Sequence, residues 1–151
     1  MKKNGFTLLE VIIVLALITL ILGLSTVYFA GLLPAAKLDA TGREITALIR
    51  HTRSLARMNG KTQTVMFDLD EGSFGIGEGI IKRIPPHVLI KIDDPVTGEI
   101  RHGKYPFVFH PAGGPEGGAI ILSGGKKRIR IDLDPLTGVV MIKKRVIGND
   151  R

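Results

Sequence analysis

Glu10 is the single charge in residues 6–33, a run otherwise made of apolar and small uncharged side chains. A carboxylate held in an apolar span costs roughly 2.5 to 3.5 kcal/mol at the helix centre, less near the edge, and marks a functional position whose partner must be cationic. Other residues able to do chemistry are scattered. His51, His87, His102 and His110 show no metal-ligand spacing and read as unconnected, mostly exposed imidazoles. Asp68, Asp70 and Glu71, and again Asp93 and Asp94, fall at strand ends, short of the roughly six to eight oxygens that calcium requires. With no Cys there is neither a thiolate ligand nor a thiol nucleophile, and no Ser, His and Asp set is favoured by position. These residues predict no catalytic residue, no metal site and no cofactor. The cations do gather: Lys126, Lys127 and Arg128 with Arg130, then Lys143, Lys144 and Arg145. Such clusters are either a contact for a polyanion or charged guards along a strand edge.

The elements that must carry these residues follow from how the apolar content is distributed. The chain has 151 residues, 44% hydrophobic and 5% aromatic, with a formal charge of +7. One small domain is the most it can build, with an aliphatic core expected. As one helix, residues 6–33 would extend about 42 Å, against a hydrocarbon core of about 30 Å. Lys2 and Lys3 precede the run and no cation follows before Lys37, so the N-terminus is expected in the cytoplasm and the remainder across the membrane. The run is too long for a cleaved signal peptide, whose apolar region is about 7 to 15 residues. A plain anchor accounts for everything in it except Glu10.

The stretch Gly5-Phe6-Thr7-Leu8-Leu9-Glu10-Val11, after the leader Met1-Lys2-Lys3-Asn4, resembles the processing and methylation motif of type IV pilins and type II secretion pseudopilins. The resemblance implies that prepilin peptidase cuts between Gly5 and Phe6 and methylates the new amine of Phe6. It also implies that Glu10 pairs with that amine on a neighbouring subunit and so sets the assembly register. Physical chemistry points the same way, because an ammonium and a carboxylate placed in lipid each satisfy the other.

Beyond residue 33, Leu38, Ile45, Leu48, Ile49, Leu55 and Ala56 recur at helical spacing, and Gly60 is placed to stop the helix. Arg43, Arg50, Arg53 and Arg57 fall on the opposite side and read as a solvated face. Pro34 would remove a hydrogen bond one turn back, and a kink between Gly31 and Pro34 is expected. The period then changes. Alternating residues at 64–69, a turn at Glu71-Gly72-Ser73, and short runs near 80–84, 88–92, 105–110, 119–123, 128–133 and 139–146 predict an antiparallel β domain. Asp94-Pro95-Val96-Thr97-Gly98 and Asp134-Pro135-Leu136-Thr137-Gly138 share one turn grammar. Residues 111–118, rich in Gly but with no helix after them, read as a mobile surface loop or a contact with another subunit rather than a phosphate loop.

Residues 108–142 resemble the C-terminal half of the H-type minor pseudopilins and related minor type IV pilins. The missing Cys departs from the C-terminal disulfide loop usual in major pilins and favours a minor subunit. The expected fold is α+β and pilin-like, a long N-terminal helix packed on an antiparallel β domain. Its segments are a leader at 1–5, a transmembrane or filament-core helix at 6–33, an amphipathic half at 34–60 and a periplasmic β domain at 61–151. The resemblance further implies assembly with other pseudopilins or pilins from the bilayer of the inner membrane, through prepilin peptidase and an assembly platform. Nucleic acid enters only under the alternative of a minor type IV pilin working in pilus assembly or DNA uptake.

Overall fold

The computed structural model describes residues 7–77, 79, 81–134 and 137–146, with the backbone alone for 26–33. The chain divides into two units, Met1–Leu33 and Pro34–Arg151.

Helix α1 (Leu8–Asn59) passes through both units and does not end at Pro34. In the first unit the helix begins at Thr7, whose hydroxyl accepts the Glu10 backbone N–H at 3.2 Å, so Thr7 and Glu10 stand at the two ends of a capping-box spacing. The window Leu8–Ser25 has a mean hydropathy of 2.7, and none of its side chains is buried among the described residues. Its two hydroxyl groups turn back onto the helix: Thr19 donates to the Leu15 and Ala16 carbonyls and Ser25 to Ile21. This removes the cost that an unpaired hydroxyl would carry in an apolar surrounding.

In the second unit, α1 supplies Leu38, Ile45, Ile49 and Ala56 to the core, all with no exposed surface, while Leu48 packs at its margin. Thr41, Thr46 and Thr52 lie on the same buried side. Each hydroxyl donates to the carbonyl four residues back, at 2.8 to 2.9 Å, and this lets a β-branched polar residue sit where the apolar pattern shows a gap. The helix stops at Asn59, and Gly60 follows with φ +62°.

Two five-stranded antiparallel sheets complete the unit. One contains β1 (Gln63–Asp68), β2 (Ser73–Ile76), β3 (Ile81–Arg83), β6 (Lys104–Phe109) and β7 (Pro115–Glu116), in the order β3-β2-β1-β6-β7. The other contains β4 (Leu89–Asp94), β5 (Gly98–Ile100), β8 (Ala119–Gly124), β9 (Lys127–Leu133) and β10 (Val140–Val146), in the order β10-β9-β8-β4-β5. The α+β class stands as read from the sequence. Ser73, expected in a turn, instead opens β2, where Phe74 pairs with Phe67 across the ladder.

The core is not purely aliphatic. Phe67, Phe74, Phe107 and Phe109 are among its largest fully buried side chains. Phe67 stacks on Phe74 at 5.7 Å between centroids and meets Phe107 edge-on at 5.2 Å. A low overall aromatic fraction conceals this concentration in one sheet.

Residues 111–118 are not loop throughout. Pro115 and Glu116 pair with Phe109 and Val108 as β7. A Cβ at Gly117 would lie 2.4 Å from the Phe107 ring, and one at Gly118 would lie 2.4 Å from the Asp93 carbonyl oxygen. These glycines allow the crossing from one sheet to the other to pass against a strand backbone. Gly118→Ala is therefore expected to destabilise the fold by about 1 to 3 kcal/mol, since a backbone carbonyl cannot swing aside as a side-chain tip can. A wild-type denaturant midpoint for the variant would refute this packing.

Candidate functional site

Of the motif residues, Gly5 and Phe6 lie outside the described residues. Glu10 lies in the first turn of α1, exposed, with its own amide held by Thr7. A carboxylate there also complements the positive end of the helix dipole. Around it Leu8, Leu9, Val11, Ile12 and their successors form an apolar surface far larger than a soluble monomer leaves bare. That surface calls for lipid or other apolar helices, and among them Glu10 is the only carboxylate.

The basic clusters come together on the β9–β10 hairpin. In its register Arg128 faces Arg145 and Arg130 faces Lys143. Three members of the predicted polyanion patch are already committed within the chain. Arg130 donates to Asp132 and Asp93, both at 2.7 Å, which raises its already high pKa. Lys143 lies 3.3 Å from Asp132, and Lys144 donates to Asp39 of α1 at 2.7 Å. Lys144 together with the nearby Lys127 holds Asp39 below the usual carboxylate range. Lys126, Lys127, Arg128 and Arg145 are exposed, and among the described residues no carboxylate comes within ion-pair distance of them.

The arginine face of α1 also needs revision. Arg43, Arg50 and Arg57 are exposed, but Arg53 donates to the carbonyls of Gly138, at 2.8 Å, and Thr137. Arg53 thereby ties the helix to the β9–β10 turn, and burial lowers its pKa, with Arg57 adding to the effect. No local signal links residues 53 and 138.

Two of the four imidazoles have carboxylate partners, His102 with Asp70 at 3.2 Å and His110 with Glu116 at 3.0 Å. An open cleft of about 1040 Å³ contains His102, Asp70 and Ser123. His102 and Asp70 are 89% and 58% exposed, and no hydrogen bond joins Ser123 to the imidazole, so the second contact of a nucleophilic triad is missing. No group of three His, Asp or Glu among the described residues is placed to hold a metal.

The sequence reading also missed a lock between the two sheets. The Tyr105 hydroxyl donates to Asp94, whose other oxygen accepts the backbone N–H groups of Val96 and Thr97 at 2.9 and 2.8 Å. Burial first, then the Asp94 carboxylate, push the Tyr105 pKa up to about 12. The Tyr105 hydroxyl first, then the two amides, bring Asp94 down to about 2.

Residues 1–26 match the family described as Prokaryotic N-terminal methylation motif. Over 139 residues, 92% of this chain and 82% of the relative, the sequence is 27% identical to Type II secretion system protein H of Xanthomonas campestris pv. campestris. No solved structure matches the chain.

The pair makes a pH prediction with two limbs. The Asp94 contribution to stability is complete above its ordinary value of 3.8 and is lost as pH falls through about 2. The Tyr105 contribution is complete below pH 10.0 and is lost as pH rises through about 12. Tyr105→Phe should abolish the alkaline limb and shrink the acid one, since the Val96 and Thr97 amides remain. Denaturation midpoints against pH that superimpose for wild type and variant would refute the lock.

Proposed function

We propose that this chain, a pseudopilin of the type IV pilin-like family, is a minor subunit of the H type in a type II secretion pseudopilus and supports protein export through assembly rather than catalysis. The observation that carries the proposal is similarity to a type II secretion protein H across 92% of the chain, domain included, together with the methylation motif at residues 1–26.

In this reading residues 1–5 are a leader removed by prepilin peptidase, and Phe6 becomes an N-methylated terminal amine. Residues 6–33 hold the subunit in the inner membrane and later line the filament core. Residues 34–60 continue the helix into the domain, and residues 61–151 face the periplasm. Other pseudopilins and the inner-membrane assembly platform are its partners.

Glu10 has two separable duties. As a residue of the helix's first turn it belongs to a capping-box spacing, which an uncharged Gln serves as well. As a carboxylate among apolar helices it requires a cation, and the methylated amine of Phe6 on the next subunit is the one that cleavage creates at the same depth. Matching the two fixes the axial offset between neighbours.

Two measurements test the proposal. The mass of the mature protein should correspond to a chain beginning at Phe6 and carrying one methyl group; an intact N-terminus would refute processing. Glu10→Gln should be cleaved and inserted normally yet fail to enter filaments, whereas normal incorporation would show that only the cap matters and that the charge sets no register.

A further inference from the structure

Folding builds a cationic tier at the end of the domain where the helix comes in. Leu38 packs against Gly124, where an added Cβ would lie 3.4 Å from the Leu38 Cβ. Beyond Gly124 the β8–β9 turn carries Lys126, and β9 opens on Lys127 and Arg128. The adjacent end of β10 brings Arg145 opposite Arg128, and Lys144 reaches Asp39 of α1 at 2.7 Å. Lys37 is the neighbour of Leu38 on the helix. Asp39 is the one carboxylate that the described ion pairs place in this tier, and Lys144 already takes it.

Two features of the tier need explaining. Arg128 and Arg145 stand directly across a ladder with no carboxylate at ion-pair distance among the described residues, an arrangement that costs stability unless an anion offsets it. The equivalent pair one step along, Arg130 and Lys143, is compensated by Asp93 and Asp132. Second, the tier lies close in the chain to the end of the apolar run, through Asp39 and Leu38. Asp39 is five residues past Pro34, about 7.5 Å of helix, comparable to a Debye length of about 8 Å at physiological ionic strength.

We propose that Lys126, Lys127, Arg128 and Arg145 rest on the anionic headgroups of the membrane that holds the subunit before assembly. The inference depends on the membrane-anchored reading above. Phosphate oxygens supply what Arg128 and Arg145 lack, and a bilayer tethered to the same chain is present at a concentration that no free anion matches. The sequence positions of these cations matter as well. Orientation in the membrane is set by charges within about 15 to 20 residues of the span, and residues 126–145 lie outside that window. Folding thus delivers positive charge to the translocated side of the membrane without opposing insertion.

The test uses the full chain in vesicles of phosphatidylcholine alone or mixed with phosphatidylglycerol, read by amide hydrogen exchange. Amides of 124–128 and 144–146 are expected to exchange several-fold more slowly on the anionic vesicles, while those of β5 and β6 stay unchanged. Salt should erase the difference, as should the combined variant Lys126→Gln, Lys127→Gln, Arg128→Gln and Arg145→Gln. Equal rates on both vesicles, or protection that survives in the variant, would overturn the headgroup contact. Protection by duplex DNA on neutral vesicles, without protection by phosphatidylglycerol, would reassign the tier to nucleic acid. A chain that fails to float with either vesicle overturns the membrane reading and the contact together; insertion with equal rates overturns the contact alone.

Discussion

Everything in the second unit depends on burying one face of α1 against two sheets. Leu38, Ile45, Ile49 and Ala56 lose all contact with solvent, and the three threonines between them are buried because each returns its hydroxyl to the helix backbone. A helix face of this kind cannot exist alone in water, and neither can two twisted sheets with Phe67, Phe107, Ile120 and Ile131 on their inner sides. Each covers the other, at roughly 25 cal/mol per Å² of apolar surface removed from water. Polar ties at both ends keep the helix from sliding: Asp39 with Lys144 at one, Arg53 with the Thr137 and Gly138 carbonyls at the other.

The first unit meets the opposite condition. Its apolar surface continues around the helix, as expected of a segment whose solvent is lipid or other apolar helices. Against such a background a single charge carries unusual information, because it has no competitor. Residues 6–33 hold no cation to accompany Glu10, and under the proposed processing its partner is the Phe6 amine of another subunit. Sequence alone therefore conveys more about Glu10 than about any residue of the β domain.

Legibility followed the range of the interaction. The helix, its stop at Gly60, most strands and the Asp94 and Asp134 turns were readable because each rests on contacts within a few residues. The turn grammar is more general than the two Pro-containing examples suggest. Asp68 and Gly72 have the same spacing; Asp68 accepts the Glu71 amide at 2.9 Å, and Gly72 has φ +60°. Leu69 stands where the other two turns have Pro and hides the kinship, so the sequence pattern places Ser73 in the turn although it begins a strand. What stayed hidden was long-range. Arg53 with Gly138, Asp39 with Lys144 and Tyr105 with Asp94 join elements whose proximity only the folded chain defines. The phenylalanines misled by number, since composition averages over a chain in which four of them share one sheet.

The fate of the basic residues shows why a cluster in sequence differs from a patch in space. Lys143, Lys144 and Arg145 are consecutive, but strand alternation sends Lys144 to one face, where it meets the helix, and its neighbours to the other. Pairing then sorts the outer face by row: Arg130 and Lys143 share carboxylates, while Arg128 and Arg145 do not. Of the seven cations in one apparent patch, three consolidate the domain and four have no ion-pair partner among the described residues. That remainder gathers around the β8–β9 turn and the facing end of β10, near the buried Leu38 of the helix. A charge run spread evenly over the surface would indicate solubility and little else. Within these two clusters, the charge left over by internal pairing lies at one end of the hairpin, and that end is where an anion can be met.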